Sequence, residues 1–312
     1  MEISILLAEQ ILAMFLTMAV GFGVVRAGLF KTEDSRIISN MVVYICNPCV
    51  VVHSFQIELT DDKIKGLMIA IGLSVVVHMV LIIGSEILSF IFHFNSIEKA
   101  SIIYTNAGYL VIPLVGAVLG EEWVFYTTAF ILVQTVLMWT HGVKLIGQEK
   151  ELNIRKILCN PNVIAMIIGI ALFTLEIRLP TAVDSCVSGF GDMISPASMM
   201  VIGMVIGDVD LKWVFRQKRP YLICLLRLIV FPLIAVVAFA GLERSGIHPD
   251  AEYILMIVLI ATSAPAAAMI TQLAQIYGKD SRYASVINVM SVIFCIITMP
   301  VMVLSYEMLI AL

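Results

Sequence analysis

Ten long apolar stretches, separated by short polar breaks, fill almost the whole of this 312-residue sequence. A helix of about 20 mainly apolar residues crosses the hydrocarbon core of a bilayer, and 61% of these residues are hydrophobic whereas 13% are charged. The sequence therefore predicts an all-α polytopic membrane protein with ten transmembrane helices. The predicted helices, numbered 1 to 10, span residues 5–25, 36–57, 65–92, 98–119, 124–146, 160–177, 186–207, 220–241, 252–276 and 283–310.

The basic residues fall mainly on alternate loops. Of 19 Lys and Arg residues, Arg227 lies inside a predicted helix, 14 follow odd-numbered helices and four lie on the other side. Cytoplasmic loops carry an excess of Lys and Arg, so we expect a multi-pass protein of the cell membrane with both termini extracytoplasmic. The first apolar segment lacks a basic start and a cleavage site, and we interpret it as a membrane helix and not a signal peptide.

The two halves of the chain carry helix-breaking residues at matching places. Asn47-Pro48 in helix 2 is followed 148 residues later by Ser195-Pro196 in helix 7, and helices 4 and 9 are interrupted near 105–108 and 263–266. Five helices per unit would place the second unit upside down, so we expect inverted repeats at 1–157 and 158–312. Such repeats with broken helices are typical of secondary transporters, although Gly and Pro are common in membrane helices generally.

The interrupted helices indicate where a ligand would bind. Irregular backbone at membrane depth is tolerated only beside protein or a wet cavity, and the N-terminus of a half-helix offers partial positive charge to an anion. We therefore expect helices 4 and 9 to cross near the midplane and to form a compact polar site for a small anion.

The sequence also resembles a known family. The residues that carry the resemblance are Asn160-Pro161 and Gly169, Leu179-Pro180, Ser195-Pro196 and Gly203, Asn106 with Pro113-Leu114, and Ala264-Pro265 with Tyr277-Gly278. They resemble bacterial members of the auxin efflux carrier family, within the superfamily of bile acid–sodium symporters. The resemblance implies crossed helices 4 and 9 at the substrate site, a scaffold domain of helices 1, 2, 6 and 7, a mobile transport domain of helices 3–5 and 8–10, and a homodimer through the scaffold.

The chain departs from the plant auxin exporters at both interruptions. Thr105 stands where those proteins have proline, Pro265 is followed by three alanines, and Trp139 occupies a position that the family fills with an aromatic hydroxyl. Auxin is therefore a poor substrate prediction. The resemblance to bacterial relatives implies instead a small organic acid, with a dicarboxylate such as malate or malonate favoured.

Asn106 is the strongest candidate for substrate binding. Its amide can bond both a carboxylate and the freed backbone, the alternative being a purely structural cap on a half-helix. Ala266 would contribute a backbone N–H group. The remaining candidate substrate-binding residues are Thr105, Ala107, Gly108, Tyr109, Ala264, Pro265, Asn47, Gln134 and Asn288.

Three charged residues are candidates for ion coupling or charge pairing. Glu86 and Arg227 lie at similar depths in helices 3 and 8, and we expect them to pair, since charges in a membrane are costly. Arg227 has two alternatives, which are to snorkel to the interface or to receive a carboxylate as substrate leaves inward. Asp192 would carry a proton or help to hold a cation, or else it is a first-turn acid that complements the helix dipole. Coupling to H⁺ or Na⁺ stays open.

Two other functions compete with transport. Cys46-Asn-Pro-Cys49 matches a redox C-x-x-C motif and would suit an intramembrane thiol redox enzyme, although buried cysteine is also a small apolar filler. A ligand sensor on a carrier fold would bind without flux. The sequence carries no His-Glu-x-x-His, Gly-x-Ser-x-Gly, Walker or Rossmann motif and no basic stripe for nucleic acid. The expected partners are therefore a small organic anion and the lipid bilayer, with no cofactor.

Overall fold

The computed structural model describes residues 2–147 and 158–311, and within these ranges the chain is helical. The helices are labelled in chain order, and an interrupted helix carries the letters a and b. They are α1 (Glu2–Arg26), α2 (Thr32–Ser54), α3 (Asp61–Phe92), α4a (Ser96–Ile103), α4b (Ala107–Val118), α5 (Glu121–Gly147), α6 (Pro161–Thr174), α7 (Thr181–Gly207), α8 (Arg219–Glu243), α9a (Ala251–Ser263), α9b (Met269–Ile276) and α10 (Ser281–Ile310). A short helix, Leu211–Arg216, precedes α8.

Seven helices in the described part of the chain are long and apolar enough to cross a membrane, and α4b, α6 and α9a are shorter apolar helices. The prediction of an all-helical, multi-pass membrane protein is confirmed. Helices 4 and 9 are interrupted close to the expected positions, since α4a ends at Ile103 and α9a ends at Ser263. Helix 7 begins at Thr181, five residues earlier than the apolar pattern predicts, because Pro180 starts it and its first turns are polar.

Caps fix the starts of α4a, which leads to the first interruption, and of α10, which packs beside the second. Asn95 and Glu98 form a reciprocal capping box at α4a, in which each side chain accepts a hydrogen bond from the other's backbone N–H at 2.9 Å. The Asp280 carboxylate accepts from the backbone N–H of Tyr283 at 2.9 Å and begins α10. These bonds satisfy N–H groups that the first turn leaves free.

The helices pack as two groups. In the first, α1 packs on α7, and α2 packs on both α6 and α7. Glycines bring α1 and α7 into backbone contact, because a Cβ on Gly21 would overlap the Met200 carbonyl oxygen and a Cβ on Gly203 would overlap that of Met18. Close approach at small residues is a common way for membrane helices to associate.

The second group surrounds α9a. Helix α3 packs on α5, α4a and α9a, while α8 and α10 pack on α9a and on each other. Every residue of α9a from Ile254 to Ser263 is buried. The two groups meet where α4b contacts α1 and α7 and where α10 contacts α1.

Candidate functional site

The two helix interruptions bond directly to each other. The backbone N–H of Asn106 donates to the Pro265 carbonyl oxygen at 2.8 Å, and the backbone N–H of Ala267 donates to the Tyr104 carbonyl oxygen at 3.0 Å. These two bonds form an antiparallel bridge between Thr105 and Ala266. Each interruption thus satisfies backbone groups that the other leaves free, as buried N–H and C=O groups require.

A glutamine on α5 holds the first interruption. The Gln134 side-chain oxygen accepts from the backbone N–H of Thr105 at 2.8 Å and from its hydroxyl at 2.9 Å, and the Gln134 amide nitrogen donates to the Thr105 carbonyl at 2.9 Å. One side chain therefore satisfies the backbone donor and acceptor of Thr105, both of which are buried away from water.

Two side chains on α10 do the same at the second interruption. The Asn288 amide donates to the Ala266 carbonyl at 2.6 Å, and the backbone N–H of Ala266 donates to the Ser291 hydroxyl oxygen at 3.0 Å. The Ser291 hydroxyl donates in turn to the Asn288 carbonyl at 2.8 Å. Gln134 and Asn288, predicted to face substrate, are thus both brought to the interruptions, where their amides bond to backbone.

Two asparagines beside the first interruption keep unpaired polar atoms. The Asn106 Nδ2 and the Asn47 Oδ1 are buried and have no hydrogen-bond partner among the described residues, and each of the two residues is 5% exposed. The Asn47 Nδ2 lies 3.3 Å from the position that a Cβ on Gly108 would take. Asn47 on α2 and the start of α4b are therefore in contact, and a buried polar atom without a partner is costly enough to need an explanation.

Most of the other predicted residues also gather at this place. The Tyr109 hydroxyl lies 2.9 Å from the Ser39 hydroxyl, which links α4b to α2. Ala107 and Ala264 are fully buried in the walls of the interruptions.

Arg227, which lies on α8, contacts both interruptions. It is fully buried, its Nε donates to the Ala264 carbonyl at 3.2 Å, and its Nη1 donates to the Ile102 carbonyl at 3.2 Å. The expected ion pair with Glu86 is not formed, because the Glu86 side chain is 47% exposed and accepts instead from the Lys99 ammonium at 2.7 Å. Snorkelling is also wrong, since the guanidinium points inward.

A family model described as a membrane transport protein matches residues 6–154 and 149–303, which together cover nearly the whole chain. The chain belongs to this family, the auxin efflux carriers. The resemblance seen in the sequence is confirmed. The family's members are transporters and not enzymes, which favours transport over thiol redox chemistry. A search of the curated proteins finds no significant match.

In this transport protein the third charged candidate, Asp192, lies apart from the interruptions. It is exposed and lines a cavity of about 210 Å³ between α2, α4b, α5 and α7, together with His53 and Glu121. The first-turn acid of α7 is Asp184 and not Asp192, because the helix begins at Thr181. A second cavity, of about 340 Å³, lies between the α2–α3 and α6–α7 loops and contains none of the predicted residues.

Sequence reasoning missed the pairing of His53 with Asp184. The His53 Nδ1 lies 2.9 Å from the Asp184 carboxylate, which joins α2 to α7 near the 210 Å³ cavity. A signal was present, since a polar first turn after Pro180 contains an aspartate. The prediction started this helix at the apolar run and so left the aspartate in a loop.

Sequence reasoning also missed local widening of four helices into π-helical turns. These segments are Val42–Cys46, Ala107–Val111, Met138–Gly142 and Leu226–Val230. The first segment ends next to Asn47, the second begins next to Asn106, and the fourth contains Arg227. Each of these three segments ends two residues before a proline. Proline cannot donate a helical hydrogen bond and crowds the preceding turn, and π-helical turns are frequent at functional sites. A proline inside an apolar stretch was therefore the available signal.

All six cysteines are free thiols, with Cys46 buried and Cys49 partly buried on α2. In the part of the chain that the structure describes, no group of three or more His, Cys, Asp or Glu side chains could hold a metal ion.

Proposed function

We propose that this protein is a secondary active carrier that moves a small organic anion across the cell membrane by alternating access. A dicarboxylate such as malate or malonate is the favoured substrate, on the strength of the resemblance to bacterial relatives. The observation that carries the proposal is the unpaired Nδ2 of Asn106, a buried donor at the bridge between the two interrupted helices.

The chemistry of this place suits a small anion. The Asn106 amide supplies a donor, and α4b starts immediately after it, so that its first free N–H groups and the positive end of its dipole add to the same region. Asn47 adds a second amide from α2, next to Gly108. A carboxylate bound here would satisfy the unpaired donor, which is the usual arrangement of anions at helix N-termini.

The paired contacts at the interruptions support the proposed five-plus-five inverted repeat of 1–157 and 158–312, with α4 and α9 crossing. A bridge joins the two interruptions, and the last helix of each half supplies the amides that hold them, Gln134 in α5 and Asn288 in α10. Sheltering irregular backbone in this way is what a broken-helix carrier needs at membrane depth.

The grouping of the helices supports a scaffold of α1, α2, α6 and α7 and a mobile domain of the rest. The side chains proposed to bind substrate lie where α4b meets α2. Movement of one helix group against the other would therefore expose them to alternate sides of the membrane. We also propose a homodimer through the scaffold and both termini outside the cytoplasm, which rest on the resemblance and on the alternation of basic loops.

The test is uptake by proteoliposomes that contain the purified protein. Labelled malate, malonate, oxalate and indole-3-acetate are offered, each with and without a pH or Na⁺ gradient. We expect saturable uptake of a dicarboxylate, and the gradient that increases it identifies the coupling ion. Saturable binding without flux would support a ligand sensor on a carrier fold instead.

The residue assignment needs a matched pair of variants. Asn106→Ala should abolish uptake and leave the protein folded, because it removes an unpaired donor and no described hydrogen bond of the side chain. Asn162→Ala is the control, since Asn162 is an asparagine with an unpaired oxygen on α6, away from the interruptions. Unchanged uptake by Asn106→Ala would remove this residue from the site.

A further inference from the structure

The position of Arg227 has a meaning beyond the burial of one charge. Its two hydrogen-bond acceptors are the carbonyl of Ile102, in the last turn of α4a, and the carbonyl of Ala264, the residue that follows α9a. A single guanidinium thus bonds to the C-terminal ends of both half-helices at the interruptions.

These two helix ends form a region of negative potential inside the protein. The last carbonyl groups of a helix have no donor within the helix, and they carry the negative end of its dipole. In carriers with broken helices, such carbonyls and half-helix C-terminal ends coordinate Na⁺ or a proton. Here a side chain already occupies the place between them.

No carboxylate offsets this charge among the described residues. The titratable groups close enough to act on Arg227 electrostatically are His78 on α3 and Cys295 on α10, and the Arg227 Nη2 has no described partner. A buried charge without a counter-ion is strongly unfavourable. The favourable interaction that remains is the one with the two helix ends, so the guanidinium and the carbonyls depend on each other.

We propose that Arg227 is a tethered cation that replaces an inorganic coupling cation between the C-terminal ends of α4a and α9a. The interruptions then stay assembled with no Na⁺ bound between these helix ends, and transport is not coupled to Na⁺ binding at this position. The consequence for transport rests on the proposed function, whereas the consequence for cation binding does not. Arg227 acts as a positioning residue, because it acts through the backbone of the interruptions.

Three substitutions separate charge from volume. Arg227→Ala removes the charge and leaves space, Arg227→Met removes the charge and fills the space, and Arg227→Lys keeps a charge that is shorter. Thermal unfolding of each purified protein is measured in choline chloride and in mixtures containing Na⁺, Li⁺ or guanidinium at low millimolar concentration, with total ionic strength constant.

For wild-type protein, and likewise for Arg227→Lys, we expect an unfolding temperature that does not change from one of these salts to another. Arg227→Ala should unfold roughly 5 °C or more below wild type in choline, and guanidinium or Na⁺ should restore much of this difference by binding the folded state. Arg227→Met should be destabilised without recovery. A folded Arg227→Ala that no cation stabilises, or equal recovery of Arg227→Met, would overturn the proposal.

The wild-type protein keeps the test decisive even if Arg227→Ala does not fold. Specific stabilisation of wild type by Na⁺ over choline would contradict a site already filled by Arg227. In proteoliposomes with equal salt on both sides, wild-type uptake should be the same in Na⁺ and choline, whereas uptake by Arg227→Ala should fall about tenfold in choline and recover with the added cation. Absence of wild-type flux for every acid would count against the carrier function and leave the unfolding result to stand by itself.

Discussion

The contact between α1 and α7 is made by backbone against backbone, whereas the contact between the two interruptions is made through bridging hydrogen bonds and side-chain amides. At the first, Gly21 and Gly203 leave no space for a methyl group. At the second, Gln134 and Asn288 reach across to satisfy carbonyl and N–H groups that a regular helix would satisfy itself.

The difference concerns which parts can move. Close-packed backbone has one arrangement, since interiors at this density tolerate little change in volume. Asn106 at the first interruption and Asn47 on the facing part of α2 keep unpaired polar atoms, and α4b makes a hydroxyl contact to α2. Such groups can exchange their contacts for contacts with a ligand. A rigid pair of helices next to a polar region with exchangeable partners would suit the alternating access proposed above.

The largest expected effect is at the glycine contact. Gly21→Ala would place a Cβ against the Met200 carbonyl, and because backbone cannot rotate away, we expect destabilisation by about 3 kcal/mol or more. Gly23→Ala, two residues along the same helix, meets nothing within 4 Å and should be neutral or stabilising by about 0.5–1 kcal/mol. Thermal unfolding and size-exclusion profiles of the two purified variants provide the comparison. Equal behaviour would mean that α1 and α7 are not in backbone contact.

The glycine contact and the interruptions differ also in how far the sequence predicts them. Apolar length predicts the membrane helices, and the sequences around Thr105 and Pro265 predict where two of them are interrupted, because local sequence determines local helix propensity. The partners of the interruptions depend on tertiary structure. The pairing of Thr105 with Ala266 joins residues 161 apart in sequence, and nothing local to either residue specifies it.

For Arg227, the sequence predicts that the charge needs a partner but does not identify that partner. Its depth in the membrane predicts a functional or paired charge, and a carboxylate at similar depth is the natural partner to expect. The structure gives it carbonyl oxygens from two helix ends instead. Backbone acceptors are available only where a helix is interrupted, and every residue type supplies them equally, so residue identity gives no signal for them.

A smaller effect should distinguish the two interruptions from each other. Gln134→Ala leaves the backbone N–H, the C=O and the hydroxyl of Thr105 without these partners, whereas Asn288→Ala removes one described hydrogen bond and leaves the Ser291 contact in place. At about 1–3 kcal/mol for each buried group left unpaired, we expect Gln134→Ala to lower stability about two to three times as much as Asn288→Ala. Thermal unfolding in matched detergent measures both. A larger loss for Asn288→Ala would show that the second interruption depends more on its side-chain partner than the first.

The smallest effect concerns the hydroxyl contact between the two helix groups. Tyr109→Phe removes the bond to Ser39 while keeping the ring in place, and we expect a loss of about 0.5–1.5 kcal/mol, with the same loss for Ser39→Ala. Because the two hydroxyls are each other's described partners, the double variant should cost little more than either single one. If α4b moves against α2 during transport, this contact stabilises one state only, and both single variants should change the uptake rate by the same factor. Additive losses in stability would mean that each hydroxyl acts through some other partner. If the losses are not additive but uptake is unchanged, the contact persists in both states.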